Sequence, residues 1–174
     1  MNNCFIILAS GQSKRFKSKS PKQFNFYKNK LIYEHSIDKA INSKLFKQII
    51  LVVKSKSLIK KRYPKLVKII KGGKERSNSS FIGINYAKKF NPTNILIHDA
   101  ARPNFSINLL NRLIKNLKNH KAVIPFLMSN DSIKYAFKKS IYNTLKKNLI
   151  LTQTPQAFRF KDLYLLTNNN KKKN

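Results

Sequence analysis

Acidic residues, glycine and cysteine are all scarce in this 174-residue chain, and each scarcity narrows what it can be. A single cysteine, Cys4, rules out an intramolecular disulfide framework and suits a reducing compartment. No apolar run approaches the roughly 20 residues that cross a bilayer. The run CFIILA has neither a basic stretch before it nor the length of a secretory leader's core. These features predict a soluble, cytoplasmic protein with no membrane partner. The length suits one domain with a proper core and is short for two.

Glycine at its average usage of about 7% would number roughly twelve. The chain has 4, and Gly11, Gly72 and Gly73 fall directly after apolar runs. Only 6 acids stand against 37 Lys and Arg, and Glu75, Asp99 and Asp131 each lie after or beside such a run. Residues that survive a strong compositional bias mark positions with a specific task. The net charge of +31 resembles a nucleic-acid footprint. Its lysines are spread along the whole chain among Asn and Ile, however, which fits a general compositional drift. No specific nucleic-acid partner is expected, although weak, salt-dependent polyanion binding is.

Apolar runs alternate with helix-period segments. CFIILA, QIILVVK, LVKII, NILIHD and KAVIPFL read as strands, the second β-branched throughout as in a buried strand. LIYEHSIDKAINS, SNSSFIGINYAKKF and SINLLNRLIKNLKNH read as helices, the last N-capped by Ser106. SLIKKRYPK predicts a further short helix stopped near Pro64. This rhythm means βαβ units: an α/β, Rossmann-like, mostly parallel sheet flanked by helices. After about residue 128 the rhythm breaks, and SIKYAF and LILTQTPQAF suggest an extended β-arm. The domain is expected over 1–167, with the arm roughly 129–155 and a low-complexity, disordered tail over 168–174.

Ligands of open α/β sheets bind outside the carboxyl ends of the strands. The polar clusters SGQSKR, GGKER, HDAARP and SNDSIK all fall at such ends. SGQSKR lacks the pattern of a Walker loop or a dinucleotide fingerprint. A glycine turn still lets backbone N–H groups approach a phosphate, Arg15 can fork onto its oxygens, and Lys22 can act as a point charge. A plain strand-end turn would read the same way. Gly72 and Gly73 permit close approach by a ring or sugar, or simply a tight turn before a helix capped by Ser77. Asp99 suits Mg²⁺, which takes one or two carboxylates plus substrate phosphates. It also suits an ion pair or a cap. Arg102 can hold an anion. His98, beside a buried strand, is expected to pack and not to catalyse. No Cys/His metal spacing, nucleophile elbow or paired carboxylates occur. Together the clusters point to phosphoryl or nucleotidyl transfer, chemistry of positioning and charge.

The same residues resemble a known family. Leu8-Ala9-Ser10-Gly11 through Lys14-Arg15, then Pro21-Lys22-Gln23, resembles the opening loop of 2-C-methyl-D-erythritol 4-phosphate cytidylyltransferases. Glu34-His35-Ser36 is similar to the family's helix start, and Gly72-Gly73 with Arg76 and Ser79 to its G-G-x-x-R-x-x-S segment. HDAARP, from His98 to Pro103, matches outright; Asp131-Ser132-Ile133-Lys134 resembles D-T-x-K and Thr154-Pro155-Gln156-Ala157-Phe158 resembles T-P-Q-x-F.

The resemblance implies a nucleotide-diphospho-sugar transferase-like fold. It implies CMP transfer from CTP to 2-C-methyl-D-erythritol 4-phosphate with Mg²⁺, and a homodimer built through the arm. Arg15 and Lys22 would be catalytic. Ala9, Ser10, Gly11, Gly72, Gly73 and Ser79 would hold the nucleotide. Asp99, Arg102, Ser132 and Lys147 would hold the polyol phosphate, Asp99 also facing the metal.

Three departures stand out. Ser13 replaces a second loop glycine, tolerable where φ stays negative. Lys147 replaces an arm arginine and loses its fork. The chain ends at NNNKKKN where the family continues with a lysine-bearing strand, so a shortened product is expected. A ribitol-phosphate cytidylyltransferase on the same scaffold, or an inactive polyanion-binding remnant, are the alternatives.

Overall fold

The structure is a computed structural model and describes residues 1–13, 20–129, 134–138, 140–143 and 149–169. The predicted Arg15, Ser132 and Lys147, and residues 170–174 of the expected tail, lie outside the described residues.

The chain opens with β1 (Asn3–Ala9), followed by a helical turn at Lys22–Phe24 and a short ribbon of β2 (Phe26–Tyr27) and β3 (Lys30–Leu31). Then come α1 (Ile32–Asn42), β4 (Gln48–Val53), β5 (Val67–Lys71), α2 (Arg76–Ala87), β6 (Asn94–Asp99) and α3 (Ile107–Asn116). The remainder is β7 (Ala122–Val123), β8 (Phe126–Met128), β9 (Lys134–Phe137), β10 (Ser140–Asn143), β11 (Ile150–Thr152), β12 (Gln156–Arg159) and α4 (Phe160–Asn169).

The main sheet has the order β5-β4-β1-β6-β12-β7. β5, β4, β1 and β6 run parallel, and β12 is antiparallel to both its neighbours. Side chains alternate across a strand, and β1 shows the consequence. Phe5, Ile7 and Ala9 enter one core with Tyr33 and Ile37 of α1 and Leu110 and Leu113 of α3. Cys4, Ile6 and Leu8 enter the other with Ile84 of α2 and Phe160 of α4. Both faces are covered, and β1 and β4 are buried along their whole length. At the centre, Phe5 lies 4.8 Å from Phe46 and 5.9 Å from Phe105, centroid to centroid. Each such buried ring contributes on the order of 1.5–3 kcal/mol.

Four expectations fail on local grounds. The helix expected over SLIKKRYPK is only a turn at Lys56–Leu58; its cations have no apolar stripe among them, and Leu58 is exposed. KAVIPFL is two strands, because Pro125 lacks an N–H and the chain changes sheet there. Glu75, not Ser77, stands at the N-cap of α2. The tail does not begin at 168: α4 runs to Asn169, with Leu163 and Tyr164 packed on the second core. Ser106 caps α3 as expected, its Oγ accepting from the Leu109 N–H at 3.1 Å.

Beyond the sheet stands the arm. β8 pairs antiparallel with β11, and β9 with β10. TPQAF, expected to belong to the arm, instead forms β12 and pairs with β6 inside the main sheet.

Candidate active site

The carboxyl ends of β1, β4, β5 and β6 face one edge, where the sequence clusters converge. The turn after β1 is held from outside. Gln23 Nε2 donates to the carbonyls of Ala9 (2.8 Å) and Gly11 (2.7 Å). Ser13 Oγ donates to Gln23 Oε1 at 3.2 Å and accepts from the Lys22 N–H at 3.0 Å. Ser13 has φ 50°, in the left-handed region, so the condition of a negative φ under which serine is tolerated is not met. That conformation costs a non-glycine residue about 1–2 kcal/mol, and two side-chain hydrogen bonds offset it. Gly11 has a φ that any residue adopts, with nothing within 4 Å of where a Cβ would stand.

The double glycine is a packing requirement. A Cβ on Gly72 would lie 2.8 Å from Ser79 Oγ and 2.9 Å from Ser10 Cβ and Val52 Cγ1; one on Gly73 would lie 2.4 Å from Asn78 Cβ. Ser79 is fully buried. Its Oγ lies 2.7 Å from Ser10 Oγ and accepts from the Gly73 N–H at 3.1 Å. Ser79 therefore shapes the wall from behind. Ser10, Gly72 and Gly73 line a cleft of about 710 Å³ together with Gln12, Lys54, Lys71, Lys74 and Glu75.

A second cleft, of about 680 Å³, brings Lys22 and Arg102 together with Tyr27, Phe126, Gln153 and Thr154. Asp99 ties this cleft to the first. Its Oδ1 accepts from Arg76 Nε at 2.8 Å, and its Oδ2 lies 3.7 Å from Arg102 Nε. Arg76 follows Glu75 of the first cleft; Arg102 lines the second and donates to Gln153 Oε1 at 2.8 Å. Lys39 fastens the loop after β6 by donating to the carbonyls of Pro103 (2.6 Å) and Phe105 (2.8 Å). Partial burial lowers its pKa.

His98 packs, as expected. Its ring is fully buried, 5.7 Å from Phe5 and 4.6 Å from Phe105. Thr154 Oγ1 accepts from the Asp99 N–H at 3.3 Å and lies 3.0 Å from His98 Nδ1. Burial pushes the His98 pKa down to about 3, so the ring is neutral.

No group of three or more His, Cys, Asp and Glu side chains converges among the described residues. With Oδ1 committed to Arg76, Asp99 offers Oδ2 alone. This fits a Mg²⁺ that arrives on substrate phosphates, the usual mode for that ion, and not a protein cage. Sequence reasoning passed over Gln23 as a brace, Arg76 as the Asp99 partner, and Lys54 and Lys71 as cleft cations. The last two had a signal, since each directly follows a buried run.

A mostly parallel sheet with two joined cationic clefts at its carboxyl edge is the architecture of an α/β nucleotidyltransferase. Within that class, the chain belongs to the family described as 2-C-methyl-D-erythritol 4-phosphate cytidylyltransferase, IspD, whose model matches residues 3–174. A bifunctional enzyme IspD/IspF of Pelagibacter ubique is 47% identical over 171 residues, 97% of this chain and 46% of the relative. A 2-C-methyl-D-erythritol 4-phosphate cytidylyltransferase of Caldicellulosiruptor bescii is 35% identical over 170 residues, 94% and 75% of the two chains. Among solved structures, the bifunctional IspDF of Campylobacter jejuni superposes with a TM-score of 0.82 at 27% identity, over 96% of this chain and 43% of that one. The Francisella tularensis cytidylyltransferase gives 0.82 at 25% identity, over 99% and 79%. The chain thus spans less than half the length of the two bifunctional relatives.

Proposed function

We propose that the chain transfers CMP from CTP to 2-C-methyl-D-erythritol 4-phosphate, releasing pyrophosphate, in non-mevalonate isoprenoid biosynthesis. The observation that carries this reading is the Arg76–Asp99–Arg102 chain of ion pairs, which runs from the residue after Glu75 of the glycine-lined cleft to Arg102 of the second, cationic cleft and so suits two anionic substrates meeting at one edge. A phosphate oxygen of the polyol phosphate bonds to the α-phosphorus of CTP, and the bond from that phosphorus to the bridging oxygen of the β-phosphate breaks. The electron pair leaves with pyrophosphate, so the task is to stabilise charge on the phosphoryl oxygens.

Ala9, Ser10, Gly11, Gly72 and Gly73 hold the nucleoside, with Ser79 setting the wall. Lys22, and Arg15 from the same loop, stabilise the charge that develops at the α-phosphorus. Arg102 holds the polyol phosphate, and Asp99 meets its hydroxyls and orients the two arginines. Ser132 and Lys147 are assigned to the polyol phosphate as well, the latter within a homodimer built through the arm. Asp99 would hold Mg²⁺ together with the CTP phosphates, and the ion would supply further charge neutralisation. We place its action in the cytoplasm, a reading supported by the buried free thiol of Cys4; no described helix is long and apolar enough to cross a membrane.

Incubation of the chain with CTP and Mg²⁺ against each polyol phosphate tests the reading. A cytidine diphosphate product forms with methylerythritol phosphate. A product with ribitol 5-phosphate instead would reassign the substrate, and nucleotide-blind binding lost at high salt would leave only a polyanion binder.

A further inference from the structure

Behind the first cleft, one buried amide joins two parts of the site that are distant in sequence. Gln23 is 4% exposed. Both arms of its amide are engaged: Nε2 with the Ala9 and Gly11 carbonyls, Oε1 with the Ser13 hydroxyl. The same hydroxyl takes the backbone N–H of Lys22 at 3.0 Å. Ser13 reaches this position only by adopting φ 50°. Buried polar groups that are fully paired fix one geometry, and here the geometry fixed is the offset between the Ala9–Gly11 turn and Lys22.

We propose that Ser13 and Gln23 are positioning residues for nucleotidyl transfer, holding Lys22 in register with the turn that receives the nucleotide. The inference rests on the transfer reading above, and the two residues are not equivalent. Ser13 Oγ accepts from the Lys22 backbone N–H and donates to the Gln23 side-chain amide oxygen, and it bonds neither Ala9 nor Gly11. Gln23 grips the turn itself. Loss of the Ser13 hydroxyl therefore releases Lys22 and leaves the nucleotide turn held; loss of the Gln23 amide releases both. A displacement of about 1 Å at a charge-stabilising group is enough for a loss on the order of a hundredfold in rate.

The test compares wild type with Ser13→Ala, Ser13→Gly and Gln23→Leu for turnover, CTP affinity by calorimetry and melting temperature. Ser13→Gly relieves the left-handed backbone, so it melts above Ser13→Ala. Both serine variants are expected to lose on the order of tenfold or more in kcat while CTP affinity stays within about threefold. Gln23→Leu is expected to lose kcat and also weaken CTP by on the order of tenfold. A purely structural role would make activity follow melting temperature, so a Ser13→Gly enzyme turning over at the wild-type rate overturns the inference. An inactive wild type rejects the transfer reading instead. The inference then stands or falls on CTP affinity, weakened by Gln23→Leu alone if it is right and equal in all four proteins if it is wrong.

Discussion

Arg76 Nε donates to Asp99 Oδ1 at 2.8 Å, while Arg102 stands 3.7 Å from the other carboxylate oxygen. One carboxylate thus sets the direction of two guanidinium groups. The residues are 27% exposed at Asp99 and about half-exposed at both arginines, so the arrangement adds little to stability and its effect belongs to the site.

Asp99→Asn is expected to lower kcat by on the order of a hundredfold, since both arginines lose the charge that aims them. The melting temperature is expected to move by only a few degrees. Arg76→Lys keeps the charge and loses the planar fork, with an intermediate loss. An Asp99→Asn enzyme of wild-type rate would remove Asp99 from the mechanism.

Two glycine variants separate packing from access. Gly72→Ala forces a Cβ to within 2.9 Å of three side chains, an overpacking worth about 1–3 kcal/mol of stability. Gly11→Ala meets nothing within 4 Å and is expected to leave the melting temperature unchanged while raising the KM for CTP. Chemical denaturation and steady-state kinetics on the pair would show this crossing of effects, or its absence.

His98 predicts an acid limit. Its folded pKa, about 3, lies below the ordinary value near 6.5, so between those pH values the unfolded chain binds a proton that the native state refuses. Stability from this residue is present above about pH 6.5 and falls as pH drops toward 3, by about 2 kcal/mol between pH 7 and pH 5. Urea titrations at those two pH values would measure it. His98→Gln, though less stable at pH 7, is expected to show a correspondingly smaller loss.

The arm predicts an oligomer. Leu127, Met128, Ile141, Ile150 and Leu151 are all about half-exposed or more, an apolar ribbon of the kind that seeks a second copy. Wild type is expected to sediment as a dimer and Ile150→Glu as a monomer. A monomeric wild type at micromolar concentration would leave the ribbon unexplained by self-association.

The sheet was legible because β1, β4, β5 and β6 are apolar on both faces, and α3 because Leu110 and Leu113 recur at helical spacing. β12 was not, since its place between β6 and β7 depends on pairing partners 34 to 65 residues away. KAVIPFL carried its own break at Pro125, which a continuous-run reading overlooked. Of the residues singled out by type and position, Gly72 and Gly73 line one cleft, Arg102 lines the other, and Asp99 pairs with Arg76 and Arg102. Local sequence could not give φ at Ser13, because what stabilises that turn is a glutamine ten residues further on. Nor could it reveal that Ser79 is sealed behind the cleft and that Asp99 is already paired.

Pyrophosphate release from the purified chain mixed with CTP, Mg²⁺ and 2-C-methyl-D-erythritol 4-phosphate, beside its Lys22→Ala variant, decides whether the chain transfers CMP. Release is expected to require the polyol phosphate and to vanish in the variant, with both proteins melting alike. A folded wild type that binds CTP and releases no pyrophosphate, or a variant within about threefold of it when loss of a charge stabiliser is worth roughly 10²–10³, would contradict it.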